Sequence, residues 1–164
     1  MEPIDQQALV ALQVRFQAIR IANGFFYEYK PSSVSVDPQE LLLVPETELP
    51  FVLLTLQPEG TRRFMPANQV KDVLAFVAIA RVDITDSQEL GAKLKAGTRL
   101  AADMERACVG ELESGVPGDP SFGGLVADTR LTTRPRILYG LGSDPIVIVE
   151  QAIYMPLHRT YGQP

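Results

Sequence analysis

The chain has 164 residues, of which 46% are hydrophobic, and a formal net charge of −5. This length favours one domain, 1–164, and the acidic balance argues against a protein whose main task is to grip nucleic acid, because that task needs a concentrated Lys/Arg surface. The longest uncharged apolar run, Val73 to Ala80, is too short to cross a bilayer, and the acidic first residues do not resemble a secretory signal, so neither a membrane partner nor export is expected.

The first predicted element is an amphipathic helix from Asp5 to Asn23. Its apolar side chains recur at helical spacing on one face: Leu9, Leu12, Phe16 and Ile19. Asp5 is a suitable N-cap, and the Asn23-Gly24 pair predicts a left-handed stop. The aromatic run that follows, Phe25 to Tyr29, favours a short strand or a strand-like entry.

The next predicted strand is Phe51 to Leu56, which follows an irregular, proline-rich and acidic excursion from Pro38 to Pro50. Pro58 and Gly60 close this strand. The connection from Gln57 to Asn68 is too long for a tight hairpin and predicts an exposed loop. Its tip carries three residues of types that are common at protein interfaces: Arg62, Arg63 and Phe64.

The longest stretch with strand composition runs from Gln69 to Ile84 and predicts the central strand of the sheet. Both of its faces are apolar, with Val77 and Ile79 on one face and Leu74 and Phe76 on the other. Such a strand needs a cover on each side. Helices can cover one face, and a second copy of the chain can cover the other.

The last third of the chain predicts a helix, a mobile segment and a hairpin. The helix begins near Ser87, after a cap at Thr85 or Asp86, and its predicted apolar stripe consists of five residues: Leu90, Leu94, Ala101, Met104 and Cys108. The Gly- and Pro-rich segment from Glu111 to Gly124 is expected to be mobile. Strands are predicted over Leu125 to Arg134 and Ile146 to Leu157, with a turn at Tyr139 to Pro145. These elements define an α+β domain with a mixed, mainly antiparallel sheet of about four to five strands, packed by two amphipathic helices on one face.

Residues that invite a catalytic interpretation have simpler explanations. His158 is the only histidine and follows a strand, and no nucleophile stands in a recognisable motif. Gly140-Leu-Gly142 precedes a strand, which favours a hairpin turn over a phosphate loop. A strand exit and a helix cap explain Asp83, Asp86 and Glu89 without a metal. The single cysteine, Cys108, excludes an internal disulfide and is expected to be buried and inert. No catalytic residue, metal ligand or cofactor is therefore predicted.

The candidate site is instead an interface made by Arg62, Arg63 and Phe64, and by Arg159 and Tyr161 near the C-terminus. A solvated loop with Phe64 folded back is the alternative for the first group. For Arg159 and Tyr161 the same two interpretations stand, an interface or a solvated segment.

The order of elements resembles the tail terminator proteins, also called tail completion or minor tail proteins, of long-tailed bacteriophages. The resemblance rests on the helix that ends at Asn23-Gly24, the strand Pro50-Phe-Val-Leu-Leu, the long strand that closes on Arg81-Val-Asp83, and the final strand that ends Ile153-Tyr-Met-Pro-Leu-His-Arg159. It covers most of the chain as a pattern. The segment from Glu111 to Gly124 has no part in it.

The resemblance implies a small α/β fold with a sheet backed by two helices, and a hexameric ring on the end of the tail tube. The implied partners are other copies of the chain, the tail tube protein and a head-completion or neck protein, while DNA crosses the ring without specific binding. The implied location is the head-proximal end of the virion tail, after assembly in the host cytoplasm. The family has no catalytic site.

Two alternatives stay open at this stage. The first is a neighbouring neck protein, which joins or closes the head with a ring of similar size and acidity. The second belongs to another class: a small enzyme or ligand-binding domain in which Glu28, Asp83, Arg130 and His158 converge in a pocket. A structure discriminates between the classes, since an enclosed pocket would have to gather those four side chains.

Overall fold

The computed structural model describes residues 3–36, 44–45, 48–65, 69–84, 90–111, 113, 116–131 and 133–160, and for 58–65, 69–72, 90 and 158–160 it describes the backbone alone. Within these residues, two α-helices and a five-stranded mixed sheet form an α+β fold, as predicted. The helices are α1, Ile4–Gln17, and α2, Leu90–Cys108. The strands are β1, Val34–Ser35; β2, Phe51–Met65; β3, Gln69–Asp83; β4, Arg136–Tyr139; and β5, Ile146–Thr160.

The sheet has the strand order β1-β2-β3-β5-β4. β1 pairs with β2 in parallel, and the other pairs are antiparallel. β3 lies at the centre and pairs with β5 along its whole length, from Gln69 opposite Thr160 to Asp83 opposite Ile146. The predicted central strand is therefore confirmed, and on its other side it pairs with β2.

Both helices contribute to one hydrophobic core on one face of the sheet. Leu12, Phe16 and Ile19 are fully buried there, as the spacing in the first helix predicts, and Leu9 packs partly buried against them. These side chains meet sheet residues such as Leu54 and Phe76 in the same cluster. Burying each large apolar side chain stabilises the fold by roughly 1.5–3 kcal/mol before conformational entropy is subtracted.

The second helix confirms part of its predicted stripe. Ala101, Met104 and Cys108 are buried, but Leu94 is 52% exposed, so its assignment to the core was wrong. Gly97 occupies the packed position one turn away, because the absence of a side chain lets α2 approach Ile137 and Val147 closely. The predicted cap of this helix at residues 85–89, and the excursion over residues 37–43 and 46–47, lie outside the described residues.

Two further predictions for the N-terminal third need correction. The first helix ends at Gln17, and a 3₁₀ turn, Ile21–Asn23, continues to Gly24, whose φ of 82° confirms the left-handed stop. The aromatic run Phe25 to Tyr29 is not a strand. The Asp103 carboxylate of α2 accepts hydrogen bonds from the backbone N–H groups of Phe26 and Tyr27, so these groups have no need of a sheet partner.

The predicted strand from Leu125 to Arg134 is also wrong. Among its described residues, Arg130 exchanges paired backbone hydrogen bonds with Tyr154 of β5, and the Ala127 N–H donates to the Pro156 carbonyl. The strand beside β5 is β4 instead. Of the residues of this segment that the structure describes, the buried side chains are Val126 and Thr129, three positions apart, so burial does not alternate as in a strand. The Thr129 hydroxyl donates to the Pro120 carbonyl. The turn between β4 and β5 confirms the hairpin interpretation of Gly140 to Pro145.

Candidate assembly surfaces

The sheet face opposite the helices, here called the outer face, is apolar at its centre. Strand register places Leu53 of β2, Ile79 and Val77 of β3, and Ala152 of β5 on this face. Leu53 is only 3% exposed, whereas Val77 and Ile79 are half-buried. None of these residues belongs to the helix-side core. The prediction that the central strand is apolar on both faces is confirmed.

Paired charges flank the outer face. Arg81 binds Asp83 on the same strand through two hydrogen bonds, with Nε to Oδ1 at 3.0 Å and Nη2 to Oδ2 at 2.8 Å. Arg136 of β4 lies 3.7 Å from Glu150 of β5 across the strands. An apolar centre with a polar margin is the usual anatomy of a protein interface.

The second candidate surface is an extension of the sheet, here called the arm, which comprises residues 57–65 of β2, 69–73 of β3 and 156–160 of β5. Leu54 is fully buried but Leu56, two residues on, is 41% exposed, so the helix layer covers little of β2 beyond Leu54. The predicted loop from Gln57 to Asn68 was therefore wrong up to Met65. β2 absorbs Pro58 and Gly60 in a bulge, seen as a register shift between Gln57 and Thr61, and then continues to pair.

The arm brings four of the five predicted interface residues together. Phe64 lies opposite Val70 of β3, and Val70 lies opposite Arg159 of β5. Arg62 and Arg63 occupy the two preceding positions of β2. Tyr161 lies outside the described residues. β3 thus joins two groups of residues that are almost a hundred positions apart in sequence.

Sequence reasoning did not single out Lys71, which lies in the arm opposite both Arg63 and His158. Lys71 becomes part of the candidate surface only through the register of β3, because a one-residue slip would place other residues opposite Arg63 and His158. The sequence alone does not fix that register.

The four residues of the pocket hypothesis do not converge. Asp83 lies opposite the first residue of β5, and His158 lies twelve positions further along β5, which corresponds to about 40 Å. Glu28 pairs with Arg20 at 3.6 Å, and Arg130 pairs with Asp128 at 3.1 Å. The hypothesis that these groups form one site is therefore not compatible with the strand register.

An open groove of about 560 Å³ lies between α1 and the segment 122–125. Its lining is uncharged: Gln7, Val10, Ala11, Phe122, Gly123, Gly124 and Leu125. A catalytic site would need convergent titratable groups, which this lining does not offer. The groove therefore provides apolar contact area without reactive side chains.

Buried polar side chains hold the helix layer in place. Asp103 is fully buried and binds the aromatic segment, and burial raises the pKa of its carboxyl although the N–H groups of Phe26 and Tyr27 oppose this rise. Lys93, which is 3% exposed, donates from Nζ to the carbonyl oxygens of Gly140 and Gly142 at 3.1 and 2.9 Å. The sequence signal for the burial of Lys93 was its position four residues before Gly97, which places both on one face of α2, and this signal was missed.

Arg15 anchors the segment that was expected to be mobile. Its guanidinium donates to the carbonyl oxygens of Cys108 and Asp119, and it lies 3.3 Å from the centre of the Phe122 ring. The Asp119 carboxylate in turn accepts hydrogen bonds from the N–H groups of Ser121 and Gly123. Residues 119–124 therefore have defined partners.

Cys108 is fully buried, as predicted, and burial raises the pKa of its thiol. Within the described residues, no cluster of three or more His, Cys, Asp or Glu side chains offers a metal site. No helix in the same part of the chain has the length and apolar character to span a membrane. No protein-family model matches the chain, and comparison with curated proteins also gives no match.

Proposed function

We propose that this chain is a structural phage protein, a tail terminator, that caps the tail tube as a hexameric ring. The ring stops polymerisation of the tube and provides the surface to which the filled head docks. Its partners are other copies of itself, the tail tube protein and a neck protein, and DNA crosses it without specific binding. The protein then belongs to the virion tail.

One observation carries the proposal: each subunit offers two different interaction surfaces. The outer face is apolar around Val77 and Ile79, and the arm extends the same three strands. A closed ring is built from heterologous contacts, in which one surface of a subunit meets a different surface of its neighbour. Asp83, at the end of β3, and His158, near the end of β5, lie at opposite ends of the sheet, which removes the geometric basis of the pocket hypothesis.

Capping follows from asymmetry between the two faces of such a ring. One face reproduces the contacts that a tube subunit makes with the ring below it, so the ring adds to the growing tube. The other face lacks those contacts, so the next tube subunit finds no binding surface. No covalent step is needed, in keeping with a chain for which no catalytic residues are proposed.

The decisive experiment is negative-stain electron microscopy of lysates from the parent phage with this gene disrupted. Overlong tubes without heads are expected if the protein terminates the tail. Tails of normal length beside unattached or leaking heads would instead assign the protein to the neck. Normal infectious particles would refute a role in the virion.

A variant tests the arm directly. Arg62→Glu combined with Arg63→Glu is expected to abolish binding to the tail tube or to a neighbouring copy, while circular dichroism stays unchanged. The matched control is Arg99→Glu combined with Arg130→Glu, since both arginines are exposed and lie outside the arm and outside β2, β3, β4 and β5. Unchanged binding by the arm variant would remove these residues from the interface.

A further inference from the structure

Apart from the arm, each side of the sheet ends in an open edge of four residues. On one side, β1 covers β2 only at Val52 and Leu53. The next stretch of β2, Leu54 to Gln57, is here called the window, and among the described residues it pairs with β3 alone. On the other side, β4 is four residues long and pairs with β5 alone. An open edge is a template for a further strand, because its outward N–H and C=O groups have no partner in the sheet.

The register fixes which main-chain groups of the window point outward. Tyr154 of β5 exchanges paired main-chain hydrogen bonds with Arg130, so its N–H and C=O groups face away from β3. In antiparallel pairs these directions alternate along each strand, and opposed residues either face each other or both face away. Ala75 of β3, opposite Tyr154, therefore faces Gln57 of β2. The residues of the window that direct these groups outward are then Leu54 and Leu56.

The same reasoning identifies the outward groups of β4. Glu150 lies four positions before Tyr154 on β5 and so has the same orientation, which means that it faces Arg136 of β4. The alternate residues of β4, Ile137 and Tyr139, then direct their N–H and C=O groups outward. Within the part of the chain that the structure describes, the outward groups of the window and of β4 have no hydrogen-bond partner.

These two edges carry little of the usual protection against a further strand. Natural edges are blocked by charged residues, prolines or bulges. On β2 such residues begin at Pro58 and continue into the arm with Arg62 and Arg63, whereas the window is uncharged and includes the exposed Leu56. On β4 the one charged residue is Arg136, at the first position, and the other three residues are uncharged and half-buried.

The two edges also match in direction. Three antiparallel pairs join the four strands from β2 to β4, so β2 and β4 run in opposite directions. A neighbour related by rotation about an axis along the strands therefore brings its β4 antiparallel to β2. We infer that β4 of one copy adds to the window of the next copy, with Tyr139 opposite Leu54 and Ile137 opposite Leu56. This contact rests on the proposed function and specifies the subunit contact of the ring.

The side chains on the helix side fit this register. Leu54, Ile137 and Tyr139 all belong to the helix-side core or pack against it, and Leu56 lies on the same face as Leu54. The helix layers of both copies therefore lie on the same side of the joined sheet. Leu56, which is exposed in one copy, gains Ile137 of the next copy as a cross-strand apolar neighbour.

The opposite face of the contact is free of charge repulsion. The register sets Thr55 opposite Leu138 and Gln57 opposite Arg136, so no like charges meet. A two-fold pairing of the window with itself would also be antiparallel, but it closes as a dimer and leaves β4 open. A ring needs contacts between two different surfaces, which the window and β4 supply. The second copy is therefore the occupant that uses both edges.

A disulfide across the joint tests the register. Thr55 and Leu138 would form a pair without mutual main-chain hydrogen bonds, whose Cα atoms lie about 4.5 Å apart, within the range of a disulfide. Thr55→Cys and Leu138→Cys are made in separate chains, mixed and oxidised, and the expected main product is the mixed covalent dimer. Thr98→Cys, at an exposed position of α2, replaces Thr55→Cys in the control mixture and should give no mixed dimer. The native Cys108 is buried and should not react.

A proline in the window tests the main-chain bonds. The N–H of Leu56 points outward, so Leu56→Pro spares the pairing with β3 but removes one donor of the proposed contact. Sedimentation velocity should show self-association weakened roughly tenfold or more. The matched control, Leu56→Val, keeps the donor and an apolar side chain and should associate like wild type.

The outcomes separate this inference from the proposed function. Circular dichroism checks folding, and Gln57→Cys with Arg136→Cys, the next pair of the same register, replaces the first pair if either member fails to fold. A wild-type chain that stays monomeric at its highest soluble concentration, a mixture without mixed dimer, a Thr55→Cys protein that crosslinks to itself equally well, or unchanged association of Leu56→Pro would each overturn the contact. Tail length in the gene-disrupted phage decides the proposed function independently of these results.

Discussion

Two glycines of α2 give a direct test of how closely this helix approaches the sheet. A Cβ added at Gly97 would lie 2.6 Å from Cγ2 of Ile137 and 3.3 Å from Cγ1 of Val147, whereas a Cβ at Gly91 would have no atom within 4 Å. Replacing glycine by alanine inside a helix favours folding by roughly 0.5–1 kcal/mol. Overpacking a tight core costs about 1–3 kcal/mol. Gly91→Ala should therefore stabilise the protein, and Gly97→Ala should destabilise it or leave it nearly unchanged.

The difference between the two variants is more informative than either value alone. The helix-propensity gain is common to both and is, if anything, larger at Gly97 in the helix interior, so the difference of roughly 1–3 kcal/mol reports the clash with Ile137. Urea denaturation followed by circular dichroism measures it, provided that the slope m is the same for all three proteins. Equal stabilisation at both positions would refute the close packing of α2 on β4 and β5.

Three further predictions concern the buried and exposed charges. Lys93→Met should lower the free energy of unfolding by roughly 1–3 kcal/mol because two hydrogen bonds to Gly140 and Gly142 are lost, while Lys95→Met at an exposed position of the same helix should stay within about 0.5 kcal/mol in urea titrations. Burial in the folded state raises the pKa of Asp103, so the contribution of this carboxyl to stability is present below pH 3.8 and is lost as the pH rises through the folded-state pKa. Asp103→Asn should remove this decrease in Tm from a plot of Tm against pH. The pKa of Asp119 falls from 3.8 to about 2, so its contribution is present above pH 3.8 and is lost as the pH falls towards 2, and Asp119→Asn should flatten that acid limb; an unchanged limb would contradict the assignment.

The elements that the sequence predicts well are those whose local and tertiary demands agree. β3 is a continuous apolar run without Gly or Pro, and it is found from Gln69 to Asp83, one residue shorter than predicted. Leu12, Phe16 and Ile19 follow helical spacing because they are buried against the sheet in one core. In each case one periodicity explains both the local conformation and the burial.

The failures occur where a partner elsewhere in the chain decides the conformation. Pro58 and Gly60 are residue types that usually end a strand, but β2 continues to pair with β3 beyond them, after a bulge. Phe25 to Tyr29 has strand composition, but Asp103, more than seventy residues later, satisfies its backbone. Sequence singled out Arg62 to Phe64 and Arg159 by residue type, yet only the strand register could bring them to one arm. The residue types of the proposed interface could therefore be recognised in the sequence, whereas their spatial arrangement required the strand register.

The bulge in β2 provides a last prediction, about the angle between subunits in the proposed ring. From Gln57 to Thr61, β2 advances four residues while β3 retreats only two, from Ala75 to Val73, and such an insertion bends and twists a strand. Deleting Glu59 and Gly60 would restore regular pairing, and because two residues are removed every arm residue stays on its original face. The variant should remain folded but lose the ring or change its subunit number, since closure depends on the angle of each heterologous contact. Light scattering coupled to size exclusion would measure this, and a ring identical to wild type would show that the bulge does not set the angle.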